Sequence, residues 1–171
     1  MILNNVEIKA RITDYDKVKR LIENVCNNPI ETTEQIDTFF NCTSGRLKLR
    51  EAETNSALIY YDRKDSQEPT FSDIAISFIE NPDTLKTVLA NSNGIRGIVK
   101  KERILYKYEQ TRIHLDDVEG LGKFIELEVV LDNNQSMQDG EKIAFALMDK
   151  FNIQKSDLID VAYIDLLERN N

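Results

Sequence analysis

Glu7-Ile8-Lys9-Ala10-Arg11 places an ionised side chain at every second position. A strand sends alternate side chains to opposite faces, so this run has one ionic face and one apolar face. The alternation returns in Arg46-Leu47-Lys48-Leu49-Arg50, in Arg112-Ile113-His114-Leu115-Asp116 and in Glu126-Leu127-Glu128. One such run reads as an ordinary solvent-facing strand. Four of them in 171 residues predict strands that share a single charged surface.

The chain is long enough for one domain with a sizeable core. Hydrophobic residues at 41% and charged residues at 30% describe a soluble globular protein. The net charge of −8 disfavours non-specific binding to nucleic acid or to anionic membranes. The ionic faces have the opposite balance. Lys9, Arg11, Arg46, Lys48, Arg50, Arg63, Lys101, Arg103 and Arg112 oppose only Glu7, Asp116, Glu126 and Glu128, a surplus of five positive charges. Cations gathered in an acidic protein predict a compact polyanion as ligand. Cys26 and Cys42 lack metal-ligand spacing and read as free buried thiols of a reducing compartment. No apolar run approaches a membrane span, and the first residues enter a strand pattern at once, so the cytoplasm is the expected location.

Strands are expected over 3–12, 33–42, 46–52, 57–63, 71–80, 95–108, 110–116 and 123–131. Asp14 is the expected N-cap of a helix running to about Asn27, with Val18, Leu21, Ile22 and Val25 on one face. Further helices are expected over 83–91, with Leu85, Val88 and Leu89 on one face, and over 136–151 and 156–168. The pattern is α+β and mostly antiparallel. Helices cover the apolar faces of the strands. The ionic faces then point the other way. If the sheet curls toward closure, they line a water-filled lumen, because unpaired charges in a dry interior cost several kcal/mol or more each.

With those runs in order, the chain resembles the CYTH superfamily, the triphosphate tunnel enzymes that include class IV adenylyl cyclases and thiamine triphosphatases. Asn5-Val6-Glu7-Ile8-Lys9 resembles the opening Glu-x-Glu-x-Lys motif, with Asn5 in place of the first Glu. Arg46–Arg50, Lys101-Glu102-Arg103, Arg112–Asp116 and the run Gly120-Leu121-Gly122-Lys123-Phe124-Ile125-Glu126-Leu127-Glu128 resemble later strands of the family. Gln35-Ile36-Asp37-Thr38-Phe39-Phe40 is similar to its Gln-x-Asp-x-Tyr/Phe-Phe strand. The resemblance implies a single CYTH-like domain over residues 1–171. It implies an antiparallel eight-stranded β-barrel, closed or nearly closed, flanked by helices, with a triphosphate and Mg²⁺ or Mn²⁺ held inside.

On that resemblance Lys9, Lys48, Arg50, Lys101, Arg103 and Arg112 are expected to hold phosphates, with Arg11, Arg46 and Arg63 as further candidates. Arg grips two oxygens with a planar fork, and Lys supplies a movable point charge. Glu126 and Glu128, then Glu7 and Asp116, are the expected metal ligands, because hard divalent cations take carboxylate and phosphate oxygens. Lys9, Arg112 and His114 are the expected catalytic residues. Phe39, Phe40, Tyr60 and Tyr61 are candidates for stacking on a base, although core packing is the commoner use of such residues. The implied reaction is cyclisation of ATP to cyclic AMP and pyrophosphate. The alternatives are hydrolysis of tripolyphosphate, thiamine triphosphate or a nucleoside triphosphate, and binding without turnover. A small-molecule triphosphate is the expected partner, with no nucleic acid and no membrane. The sequence leaves room for a homodimer.

Overall fold

All four alternating runs become strands of one sheet. The computed structural model describes residues 5–62, 70–71 and 73–170. Its strands are β1 (Asn5–Arg11), β2 (Glu31–Phe40), β3 (Arg46–Ala52), β4 (Ser56–Asp62), β5 (Thr70–Phe71), β6 (Asp73–Ile79), β7 (Ile95–Tyr108), β8 (Thr111–Val118) and β9 (Gly122–Val130). They lie in the order β5-β1-β9-β8-β7-β2-β3-β4-β6, and every pairing is antiparallel. One residue separates β5 from β6. Counted as one segment they bring the total to the expected eight. β5 pairs with β1 at one border of the sheet and β6 pairs with β4 at the other. The chain therefore links the two borders, and the sheet curls into an incompletely closed barrel.

The outward faces of β1, β8 and β9 carry Val6, Ile8 and Ala10, Ile113 and Leu115, and Ile125, Leu127 and Val129. They pack with Val18 and Ile22 of α1 (Tyr15–Glu23) and with Ala144, Leu147 and Met148 of α3 (Met137–Lys150), and Phe151 completes this core. Burying each large side chain contributes about 1.5–3 kcal/mol. Asp14 caps α1 by accepting from the Lys17 backbone N–H, as its sequence predicts. Ser136 and Asp139 cap α3 reciprocally. Gly140 lets α3 approach β1, since a Cβ there would lie 2.7 Å from Val6 Cγ2 and from Leu131 Cδ2.

Three expectations need correction. The helix expected over 156–168 is a single 3₁₀ turn at Lys155–Asp157, followed by a non-helical stretch and then α4 (Tyr163–Asn170). Leu158 bridges Ala10, and Ile159 donates its N–H to the Lys9 carbonyl. The border of β1 beyond β5 thus takes up backbone groups that a helix would have satisfied internally. The apolar face expected on helix 83–91 is not buried either. α2 (Pro82–Asn93) contains no buried residue, and Val88 is 55% exposed. Of the two free cysteines Cys26 is buried, but Cys42 is exposed.

Candidate active site

Alternation turns Glu7 and Lys9 of β1, Lys101 and Arg103 of β7, Arg112 and His114 of β8, and Glu126 and Glu128 of β9 into one cavity, where they meet Lys48 and Arg50 of β3. Register sets the facing partners. Glu7 stands opposite Glu128, Lys9 opposite Glu126, Arg112 opposite Glu128 and His114 opposite Glu126. The empty space, solvent at the mouth included, is about 970 Å³.

The lumen neutralises itself through three hubs. Asp37 of β2, 2% exposed, accepts from Lys48 at 2.8 Å, from Arg50 Nε at 2.8 Å and a second Arg50 nitrogen at 2.9 Å, and from Lys101 at 3.5 Å. Arg103 donates to both oxygens of Asp116 at 2.6 Å and to Glu126 at 2.9 Å. Glu128 accepts from Asn5 Nδ2 at 2.7 Å, meets His114 Nε2 at 3.3 Å and lies 3.4 Å from Arg112. Burial alone would push the carboxyls of Asp37 and Glu126 up. Arg50, Lys48 and Lys101 outweigh it at Asp37, Arg103 outweighs it at Glu126, and both are held well below the usual carboxylate range. Burial, then Arg103, pulls the His114 imidazole down from its ordinary value.

Some expected site residues lie elsewhere. Arg11 donates to the Leu121 carbonyl at 2.7 Å and lies over the Phe124 ring. Arg46 is engaged by Asp165 of α4 at 2.8 Å. Arg63 falls outside the described residues. Asp116 is fully buried behind Arg103 and does not line the cavity. Among the candidates for stacking, Phe39 and Tyr61 line the cavity, whereas Phe40 is buried and Tyr60 takes the opposite face of β4 from Tyr61. The described lining therefore has six cations, Lys9, Lys48, Arg50, Lys101, Arg103 and Arg112, against Glu7, Asp37, Glu126 and Glu128. The surplus is two charges, not five, and a polyanion must displace the resident carboxylates to use the cations fully.

Two residues complete the geometry beyond the sequence-level candidates. Asp37 was legible, since it sits in phase on Gln35-Ile36-Asp37-Thr38-Phe39. Tyr163 gave no such signal. Its hydroxyl donates to Asp116 at 2.8 Å, and its ring lies 4.2 Å from Lys9 Nζ and 5.5 Å from Lys101 Nζ. Tyr163, Ala162 and Ile164 pack with Phe39, Val99, Val118, Leu121 and Phe124, so the start of α4 seals one end of the lumen. Asp165 ties α4 to Arg46 and Arg96. A Cβ at Gly97 would meet Ile164 Cδ1 at 2.5 Å, so a larger residue there would push the end of the Ile164 side chain aside.

The donor set suits a hard divalent cation that arrives with phosphate. Glu7 and Glu126 line the same cavity, and a shared proton or a cation relieves the repulsion between two such carboxylates. Among the described residues no three acidic, His or Cys side chains converge into a ready cage. Mg²⁺ commonly needs only one or two carboxylates, with phosphate oxygens and waters supplying the rest.

The lysines set a pH dependence. Burial, then Arg103, lowers Lys101 to about 7, and burial, then Arg50, lowers Lys48 to about 8. An unfolded lysine titrates near 10.4. Between these values the unfolded chain binds more protons, so stability rises with pH from about 7 toward 10, and the penalty is fully present below the folded values. Scanning calorimetry of the ligand-free protein is expected to show a melting temperature that climbs from pH 7 to 9. Lys101→Met should flatten the climb. Tripolyphosphate favours the ammonium forms and should stabilise more at pH 7 than at pH 9. An identical pH profile in Lys101→Met would remove Lys101 from the account.

A family model described as CYTH domain matches residues 3–163. The chain is 28% identical over 171 residues to a Methanocaldococcus jannaschii protein named "Putative adenylate cyclase MJ0240", covering 94% of this chain and 97% of that one. The solved structure of PH1012 protein from Pyrococcus horikoshii superposes with a TM-score of 0.85 at 24% identity, covering 95% of this chain and 98% of that chain. A Vibrio parahaemolyticus structure, titled a putative adenylate cyclase, superposes at 0.81 with 20% identity, covering 97% and 98%. No described helix is long and apolar enough to cross a membrane.

Proposed function

Because the chain belongs to the CYTH domain family, we propose that it is a Mg²⁺- or Mn²⁺-dependent enzyme that cyclises ATP to cyclic AMP and pyrophosphate. The observation that carries this reading is the single cavity with six cations and four carboxylates, sealed at one end by α4. A triphosphate chain is the small polyanion that a narrow ring of Lys and Arg suits. The name of the archaeal relative favours cyclisation over hydrolysis.

Lys48, Arg50 and Lys101 release Asp37 and take phosphate oxygens. Lys9 and Arg112 offset charge that grows on the reacting and leaving phosphates. Glu126 and Glu128 with Glu7 would hold the cation, which would supply Lewis-acid polarisation of phosphate oxygens. His114 donates its Nε2 proton to Glu128, which leaves Nδ1 as the ring's acceptor. Nδ1 is buried and hydrogen-bonds to no protein group. The proton of the ribose 3′-hydroxyl passes to water in the lumen as that oxygen bonds to the α-phosphorus, while His114 acts by holding Glu128 in place. The bond from the α-phosphorus to the bridging oxygen breaks, and pyrophosphate leaves with the electron pair.

Incubation with ATP, tripolyphosphate or thiamine triphosphate and Mg²⁺ or Mn²⁺, with products resolved, tests the reading. Cyclic AMP with pyrophosphate supports it. Orthophosphate selects a hydrolase instead. Asn5 favours one other reading, binding without turnover. The family's first carboxylate is missing, and the amide ties up Glu128. Asn5→Glu is expected to raise metal-dependent turnover several-fold over the wild type, and unchanged turnover would take Asn5 out of the argument.

A further inference from the structure

Two strands of the lumen break its ionic pattern. The inward positions of β4 are Ala57, Ile59 and Tyr61, and those of β6 are Ile74, Ile76 and Phe78. They pair across as Ala57 with Phe78, Ile59 with Ile76 and Tyr61 with Ile74. Ile59, Tyr61, Ile74 and Ile76 line the same cavity as Lys48 and Arg50, yet none of them bears a charge. The other face of β6 shows exposed Ala75 and Ser77, with Ile79 half-buried at its end, so most of the large apolar side chains of this strand are turned to the wet lumen. Tyr61 packs against the cluster that seals the α4 end. Phe78 lies on the same inward face as Ile74, roughly 13 Å further along β6, and it is 72% exposed.

A bare phosphate chain gains nothing from isoleucines or an aromatic ring. Apolar surface facing a charged, hydrated cavity is favourable only when an apolar group covers it. An uncharged planar ring attached to the triphosphate meets both needs, because it can pack on Ile76 and stack on Phe78 while its phosphates reach the cations opposite. We propose that the β4–β6 wall, with Phe78 at its rim, is a subsite for the nucleobase of a nucleoside triphosphate, so this site selects nucleoside triphosphates over inorganic tripolyphosphate. The inference rests on the triphosphate reading of the lumen and adds the organic half of the ligand.

Calorimetric titration of the full chain in EDTA, where metal-dependent turnover is blocked, separates the two. On charge alone tripolyphosphate binds more tightly than ATP. The subsite predicts the reverse, with ATP about tenfold tighter, and predicts that Phe78→Ser weakens ATP about tenfold while moving tripolyphosphate less than twofold. Ile76→Thr keeps the β-branched shape and should shift ATP alone in the same direction. Circular dichroism and melting curves check that both variants retain the fold. Tripolyphosphate binding as well as ATP, with both variants changing neither ligand or both equally, overturns the subsite and leaves the triphosphate reading standing. Failure of both ligands to bind the folded wild type overturns the triphosphate reading itself.

Discussion

Glu126→Gln combined with Glu128→Gln is expected to lower product formation by about a thousandfold or more, with the fold retained. Loss of the divalent cation removes several kcal/mol of transition-state stabilisation, and each 1.36 kcal/mol is a factor of ten. The fold survives because an amide oxygen at position 128 can still accept from Asn5, and Arg103 keeps both of its bonds to Asp116. A second readout excludes simple unfolding. With two negative charges removed from the lumen, tripolyphosphate in EDTA should bind more tightly than to the wild type. Calorimetry and a product assay on the same preparation check both halves. Wild-type turnover in the double variant would refute the assignment of these two glutamates.

Arg103→Met should destabilise the protein by about 3–5 kcal/mol, because it strands two buried carboxylates. Asp116 is fully buried and the Glu126 side chain is 13% exposed, and Arg103 holds both. Burial alone would raise Asp116, but Arg103 and then Lys101 outweigh it and lower the carboxyl to about 2. An unfolded Asp titrates near 3.9. Its stabilising contribution in the wild type is therefore present above about pH 4 and is lost as pH falls through about 2. Without Arg103 the sign reverses, since burial then favours the protonated acid. The stability deficit of Arg103→Met should be largest near pH 7 and should shrink as pH falls toward 4. Adding Asp116→Asn should recover part of the stability without restoring affinity for tripolyphosphate. Urea denaturation across that pH range measures the deficit. A deficit independent of pH would mean that packing, not stranded charge, accounts for the loss.

Period-two alternation was enough to find β1, β3, β8 and β9 and to predict that their ionic faces share a lumen. It identifies a face but not a position along the barrel. Arg11 and Arg46 are in phase with the lining residues, yet they lie where the chain offers the Leu121 carbonyl and Asp165 instead. Alternation also cannot tell inward from outward. On β6 the apolar residues face the lumen, whereas on β1 they face the helices. Asp37 was within reach, because it stands two residues from Phe39 on a run already recognised. Tyr163 was not. The helix expected over 156–168 put it in mid-helix, whereas the pairing of Leu158 and Ile159 with β1 delays the helix to Tyr163 and sets that residue in its first turn against Lys9.

The most direct test is a crystal structure of the wild-type chain with tripolyphosphate and Mn²⁺, in which anomalous scattering locates the metal. The account predicts phosphates in the lumen between Lys9, Lys48, Arg50 and Lys101, with Asp37 released from at least one of its cations and the manganese bound to Glu126 or Glu128. Phosphates seated outside the barrel, with every ion pair to Asp37 intact and no manganese at either glutamate, would contradict it.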